Sequence, residues 1–355
     1  MKVLYAIQGT GNGHLSRAEE IVPILNKYVD TTVLVSGNQS QIQSNFEINY
    51  KKTGLTFLSG KTGKIDLLRT VFKSHPIDFI NEIRQFPISN FDLVITDFEP
   101  VSAWSALMHG VPCIEMSHQA AVINSKAPKS KIENRIGKYI LNHYCPTKEK
   151  IGFHFESYDN TIFTPVIRSS IRESEPKNMG HYTVYLPAYH DDILLQFLKQ
   201  FPVKWEVFSK YSKNKWQEDN VHFFPIDNTC FNKSFTNSTG VLCGAGFELP
   251  AEALFLKKKI MVIPLKGQYE QHCNAIAAQN LGVSMIENLD LINYRTINLW
   301  LNQGPCNKVT YLDQTDSIIQ NILTEFEQNY IQSKRETFNL DKTTFEKLSV
   351  LKYLF

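Results

Sequence analysis

Three glycines at alternate positions, Gly9, Gly11 and Gly13, lead directly into His14 in the stretch AIQGTGNGHLSRAEEI (6–21). Glycine lets backbone N–H groups approach a ligand closely, and a helix predicted to start near Ser16 turns its positive end to the same place. The spacing matches neither familiar phosphate loop: a dinucleotide fingerprint wants glycine where His14 stands, and a Walker A loop wants lysine after its last glycine. A histidine here either bonds its own loop or serves as a general base, because imidazole titrates near neutral pH. As a base it needs an acid partner, and Asp97, at the end of an apolar run (92–98), is the first candidate. The competing role for Asp97 is to cap the helix that starts near Pro100, and Glu99 and His118 are rival partners for the histidine.

A second set of groups lies in LCGAGFELPAEALFLKKKIMVIPLKGQYEQHCNAIAAQNLGV (242–283). Gly244, Ala245 and Gly246 open a helix whose free N–H groups suit a diphosphate. Glu252, inside that helix, accepts hydrogen bonds without donating any and so suits the paired hydroxyls of a ribose. Glu270, Gln271 and Asn274 follow in a polar loop suited to sugar hydroxyls.

Both sets need a frame that brings strand ends together. Apolar runs at 2–7, 31–37, 92–98 and 111–117 read as buried strands, and helical spacing at 16–28 and 100–110 separates them. The same alternation returns from about residue 180, with strands at 181–187, 204–210, 220–226, 239–245 and 259–265 and helices at 191–201, 249–258 and 270–282. This predicts an α/β fold of two doubly wound parallel sheets, whose ligands sit beyond the carboxyl ends of the strands. The expected divisions are 1–168, 169–330 and a helical tail at 331–355, with the join inside the polar stretch 163–180.

A net charge of +2 on 355 residues argues against a partner held by phosphate neutralisation, such as nucleic acid. The six cysteines show no CxxC pair and no zinc spacing, and no apolar run approaches a membrane span. A cytoplasmic, reducing setting is expected. The basic residues cluster in 124–150, seven Lys/Arg against two Glu. That cluster is either a solvated face or a peripheral docking surface for anionic lipid.

The 242–283 segment resembles the nucleotide-sugar signature of GT-B glycosyltransferases, the branch of the peptidoglycan GlcNAc transferase and the UDP-glycosyltransferases. The loop GTGNGH, the stretch FDLVITDFEP with HGVPCIEMS, and TPVIR at 164–168 are similar to other parts of that group. The resemblance implies two Rossmann-like domains facing a cleft. It also implies an inverting, metal-independent hexosyl transfer from a nucleoside-diphosphate sugar, UDP-linked by preference, to an acceptor hydroxyl of a glycan, lipid-linked or small molecule, with no cofactor. His14 would be the base and Asp97 its partner. Gly11, Asn12, Gly13, Gly244, Ala245, Gly246 and Phe247 would lie by the diphosphate. Phe224, Pro225, Ile226 and Glu252 would hold the base and ribose, and Glu270, Gln271 and Asn274 the sugar. Two departures stand out. The turn YLPAYHDD lacks the group's second glycine loop, leaving Tyr189 or His190 to substitute, and Glu248 stands in the first helical turn, where it is expected to face away from the phosphates. A sugar-nucleotide hydrolase, an epimerase and a non-catalytic nucleotide-sugar binder are the alternatives on the same fold.

Overall fold

The computed structural model describes residues 1–10, 12–37, 44–54, 76–131, 134–304 and 309–329. It forms two compact units, Met1–Leu312 and a second from Asp313 onward, of which 313–329 are described. In the second unit a helix runs over 315–329. Gly11 and the expected tail at 331–355 lie outside the described residues.

The first unit holds two seven-stranded sheets. The strands of the first are β1 (Lys2–Gln8), β2 (Asp30–Ser36), β3 (Tyr50–Lys52), β4 (Leu93–Asp97), β5 (Cys113–Ser117), β6 (Glu149–Phe153) and β7 (Ile162–Phe163). Their order is β3-β2-β1-β4-β5-β6-β7, and every pairing is parallel. The helices α1 (Asn12–Tyr28), α2 (Pro76–Gln85), α3 (Pro100–His109), α4 (His118–Ile123), α5 (Arg135–His143) and α6 (Ser169–Arg172) accompany it. β1 and β4 are apolar almost throughout because both faces of a parallel sheet are covered.

The second sheet has β8 (His181–Tyr185), β9 (Lys204–Ser209), β10 (Trp216–Glu218), β11 (Val221–Pro225), β12 (Gly240–Gly244), β13 (Lys259–Ile263) and β14 (Ser284–Met285), in the order β10-β11-β9-β8-β12-β13-β14. Only the β10–β11 pair is antiparallel. Its helices are α7 (Asp191–Leu198), α8 (Asn228–Asn237), α9 (Glu248–Phe255), α10 (Tyr269–Asn280) and α11 (Tyr294–Asn302). One core gathers Tyr182, Trp205 and Trp300 under this sheet, and another packs Leu4, Leu34, Phe86 and Val94 under the first.

In each sheet the chain reverses its direction of strand addition beside the first strand, between β1 and β4 and between β8 and β12. That is where an open α/β sheet leaves a crevice. Register places Asp97 opposite Ile7 in the first sheet and Cys243 opposite Tyr185 in the second. The glycine turn and Asp97 therefore share one crevice edge, and Tyr185 and Gly244 share the other.

Asp97 does not cap the helix that follows it. Phe98 adopts φ 57, the left-handed region, which costs an ordinary side chain about 1–3 kcal/mol. Phe98 is buried and stacked on Tyr144 at 4.8 Å, which holds this conformation. The kink hands the cap to Glu99, whose carboxylate accepts from Val101 N at 2.8 Å and Ser102 N at 2.6 Å, with Pro100 next in the chain. Removing this cap with Glu99→Ala is expected to lower the urea-unfolding midpoint by the equivalent of about 1–2 kcal/mol. An unshifted midpoint would contradict the assignment.

Candidate active site

α1 begins at Asn12, so Gly13 and His14 belong to its first turn. The ring of His14 lies with Nδ1 2.9 Å from Asp97 Oδ1. Asp97 is fully buried at the end of β4. Burial alone would raise its pKa, but the charge of Arg17, then His14, and their hydrogen bonds outweigh it and hold the carboxyl below its ordinary value.

Arg17 is the residue the sequence reading passed over. It stands one helical turn after His14 on the same face of α1. Its Nε donates to Asp97 Oδ2 at 3.0 Å, and its Nη2 to Oδ1 at 2.6 Å and Oδ2 at 2.9 Å. Its Nη1 donates to Glu248 Oε1 on α9, across to the second sheet. Burial works against the guanidinium charge, but Asp97 and Glu248 more than restore it. Glu248 itself is pushed up to about 7, by burial foremost and against the pull of Arg17. At Gly13 the two halves meet closely: an added Cβ would come within 3.1 Å of Glu248 Cγ.

The rival residues have other occupations. Glu99 caps α3. His118 is buried, with Nδ1 2.8 Å from Phe153 O and Nε2 2.8 Å from Asn274 Oδ1, and stacks on Phe247 at 3.9 Å. Burial foremost lowers its pKa to about 3, and the ring borders the cavity from behind.

Between the sheets lies a cavity of about 370 Å³. Asn12, Gly13, His14 and Arg17 line it from α1, and Tyr185, Pro187, Ile226 and Phe231 from the β8 side. Gly244, Gly246, Phe247, Glu248 and Glu252 line it around the start of α9. Gln119, Arg168, Glu270 and Gln271 also line it, and His118 borders it. A Cβ added at Gly246 would meet no atom within 4 Å, so the backbone there faces open space.

Several expected contacts are placed elsewhere. Asn274 is buried behind the wall, its amide spanning His118 and Ala245 O (3.2 Å), so it serves packing rather than a ligand. Ala245 is buried too, its N–H donating to Ile263 O at 3.1 Å. Phe224 stacks on Phe208 at 5.2 Å and Pro225 ends β11, and neither reaches the cavity wall, whereas Ile226 does. From the β8 turn the wall takes Tyr185 and Pro187, not Tyr189 or His190; the His190 ring stacks on Tyr211 at 4.0 Å. Glu248 does not turn away from the cavity but lines it, because Arg17 draws it there.

The remaining polar groups are linked. Glu252 accepts from Arg168 Nε at 2.6 Å and Nη2 at 2.8 Å, and a carboxylate with four acceptor sites retains capacity for hydroxyls. Gln119 Nε2 donates to Glu270 Oε2 at 3.3 Å and lies 3.5 Å from His14 Nε2, while its Oε1 is buried without a partner. Burial raises Glu270 above its ordinary value. Gln271 Oε1 accepts from Leu265 N at 2.9 Å. Arg168 was legible only as the end of TPVIR, and Gln119 carried no sequence signal.

A family model described as Glycosyl transferase family 1 matches residues 1–305. No curated protein matches the chain. Among solved structures, Arabidopsis thaliana UGT89C1, complexed with UDP-L-rhamnose, is 11% identical with a TM-score of 0.56, covering 85% of this chain and 89% of its own. The glycotransferase of kitacinnamycin is 11% identical with a TM-score of 0.53, covering 84% and 90%. Streptomyces sp. SF2575 glycosyltransferase SsfS6, complexed with thymidine diphosphate, is 12% identical with a TM-score of 0.50, covering 91% and 99%. At these identities the likeness is one of fold: two sheets of mostly parallel strands with helices, the GT-B arrangement.

The burial of Arg17 makes Asp97 its indispensable counter-charge. Asp97→Asn is expected to cost about 3–5 kcal/mol, and the Arg17→Met/Asp97→Asn double variant markedly less than the sum of the two singles. Urea unfolding of the four proteins measures this, and additive losses would contradict the coupling. In the wild type the contribution is present above the unfolded carboxylate value near ~3.9 and is lost as pH falls through the lower folded one.

Proposed function

The chain belongs to glycosyl transferase family 1, and on that premise we propose that it moves a sugar from a nucleoside-diphosphate sugar to an acceptor hydroxyl with inversion, without a metal, using His14 as general base. The observation that carries this reading is the 2.9 Å contact between His14 Nδ1 and buried Asp97 on the wall of the cavity. An ionised carboxylate only accepts, so it fixes the proton on Nδ1 and leaves the Nε2 lone pair to take the hydroxyl proton. The hydroxyl oxygen bonds to the anomeric carbon as the carbon–diphosphate bond breaks on the opposite face, and His14 carries the proton away.

The diphosphate is assigned to the open backbone at Gly244, Gly246 and Phe247, beside the first turn of α9, with Asn12 and Gly13 opposite. The helix end favours the charge that develops on the leaving group. Glu252 takes the ribose, Ile226 the base, and Glu270 and Gln271 the donor sugar. UGT89C1 is seen with UDP-L-rhamnose and SsfS6 with thymidine diphosphate, so pyrimidine nucleoside diphosphates come first.

The acceptor side includes the basic stretch 124–150. On α5, Ile136 and Tyr139 are exposed beside Arg135 and Lys138, and among the described residues no helix is long and apolar enough to cross a membrane. A peripheral contact with an anionic lipid surface in the cytoplasm is the reading this mixture supports.

Calorimetric titration with UDP, TDP and GDP, then with the sugar nucleotides of whichever binds, tests the donor assignment. Selective binding of one diphosphate, tightened by one sugar, is expected; binding of none would overturn it. Once a donor and acceptor are in hand, His14→Ala is expected to lower transfer at least ~100-fold while nucleotide affinity stays within about threefold. Parallel losses of affinity, stability and transfer would return His14 to a structural role.

A further inference from the structure

Glu248 is out of place for a site that binds a dianion. It is the first residue of α9, on the cavity wall next to the open backbone of Gly246, and its carboxylate is bonded to Arg17 Nη1. A carboxylate bonded to a guanidinium on the cavity wall makes a contact that a phosphate oxygen there would also make. Arg17 has committed its Nε and Nη2 to Asp97, so Nη1 is the arm that reaches the second sheet.

We propose that the Glu248 carboxylate competes with the donor diphosphate for Arg17 Nη1 and the first turn of α9, so that donor binding passes that arm from carboxylate to phosphate. Arg17 is then the cation at the leaving group while it continues to hold Asp97. This rests on the nucleotide-sugar reading given above and adds to it a residue that opposes binding and one that assists it.

The charges around Glu248 set the pH range of the competition. Arg17 and His14 from α1, Asp97 from β4, Tyr5 from β1 and Arg168 from the β7–α6 connection act on it, with Glu252 on its own helix. Burial raises the group to about 7, so it is charged and competing above that pH and discharged below.

UDP is the probe. Its own phosphate titrates in this range, so affinities are compared between proteins at the same pH. Glu248→Gln keeps the shape and removes the charge. Relative to wild type it is expected to bind UDP about tenfold more tightly at pH 8.5 and within about twofold at pH 5.5. Glu248→Ala is expected to show the same change in ratio, with thermal unfolding confirming that both variants fold. A ratio that stays constant with pH, or weaker binding by both variants, overturns the competition while leaving the nucleotide reading standing. No UDP binding by any of the three proteins overturns both.

Discussion

Asp97 and Arg17 are both buried, and each makes the other tolerable. A lone carboxylate or guanidinium in that position would carry a desolvation penalty of several kcal/mol. Together they share three hydrogen bonds, and the ring of Phe153 lies 5.7 Å from the guanidinium carbon. The surroundings of His14 follow from this pair. Asp97 stays ionised because Arg17 is there, the orientation of His14 follows from Asp97, and the remaining arm of Arg17 fixes the start of α9. Through ion pairs to Asp97 and Glu248, Arg17 thus connects the end of β4 with the start of α9.

The layout of this site was legible where one residue type does one job. Apolar runs separated by helical spacing gave both sheets, because a strand buried on two faces admits little else. The turn after β1 and the turn after β12 were readable from their glycines, and Asp97 from its position at a strand end. His14 and Asp97 are brought together by the register of β1 with β4, which strand order alone anticipates.

What the residues did not disclose was pairing between distant parts of the chain. Glu99 rather than Asp97 caps α3, because Phe98 accepts a left-handed conformation that no local pattern announces. Asn274 looked like a sugar ligand and instead spans His118 and Ala245, a partnership over 156 residues on one side. Glu248 was expected to avoid the cavity on electrostatic grounds, which hold only if no cation stands opposite. Arg17 stands there, 231 positions away in the chain. Aromatic and polar residues in the 189–226 region were similarly ambiguous: Phe224 and Ile226 are two positions apart, yet only Ile226 meets the cavity.

Two helices, α1 and α9, begin on the same cavity, with Gly13 close against Glu248. Both helix starts carry partial positive charge, and the Glu248 carboxylate supplies negative charge beside them. If the diphosphate of the proposed donor sits between these helix starts, discrimination among sugars falls to the Gln119–Glu270 side of the wall.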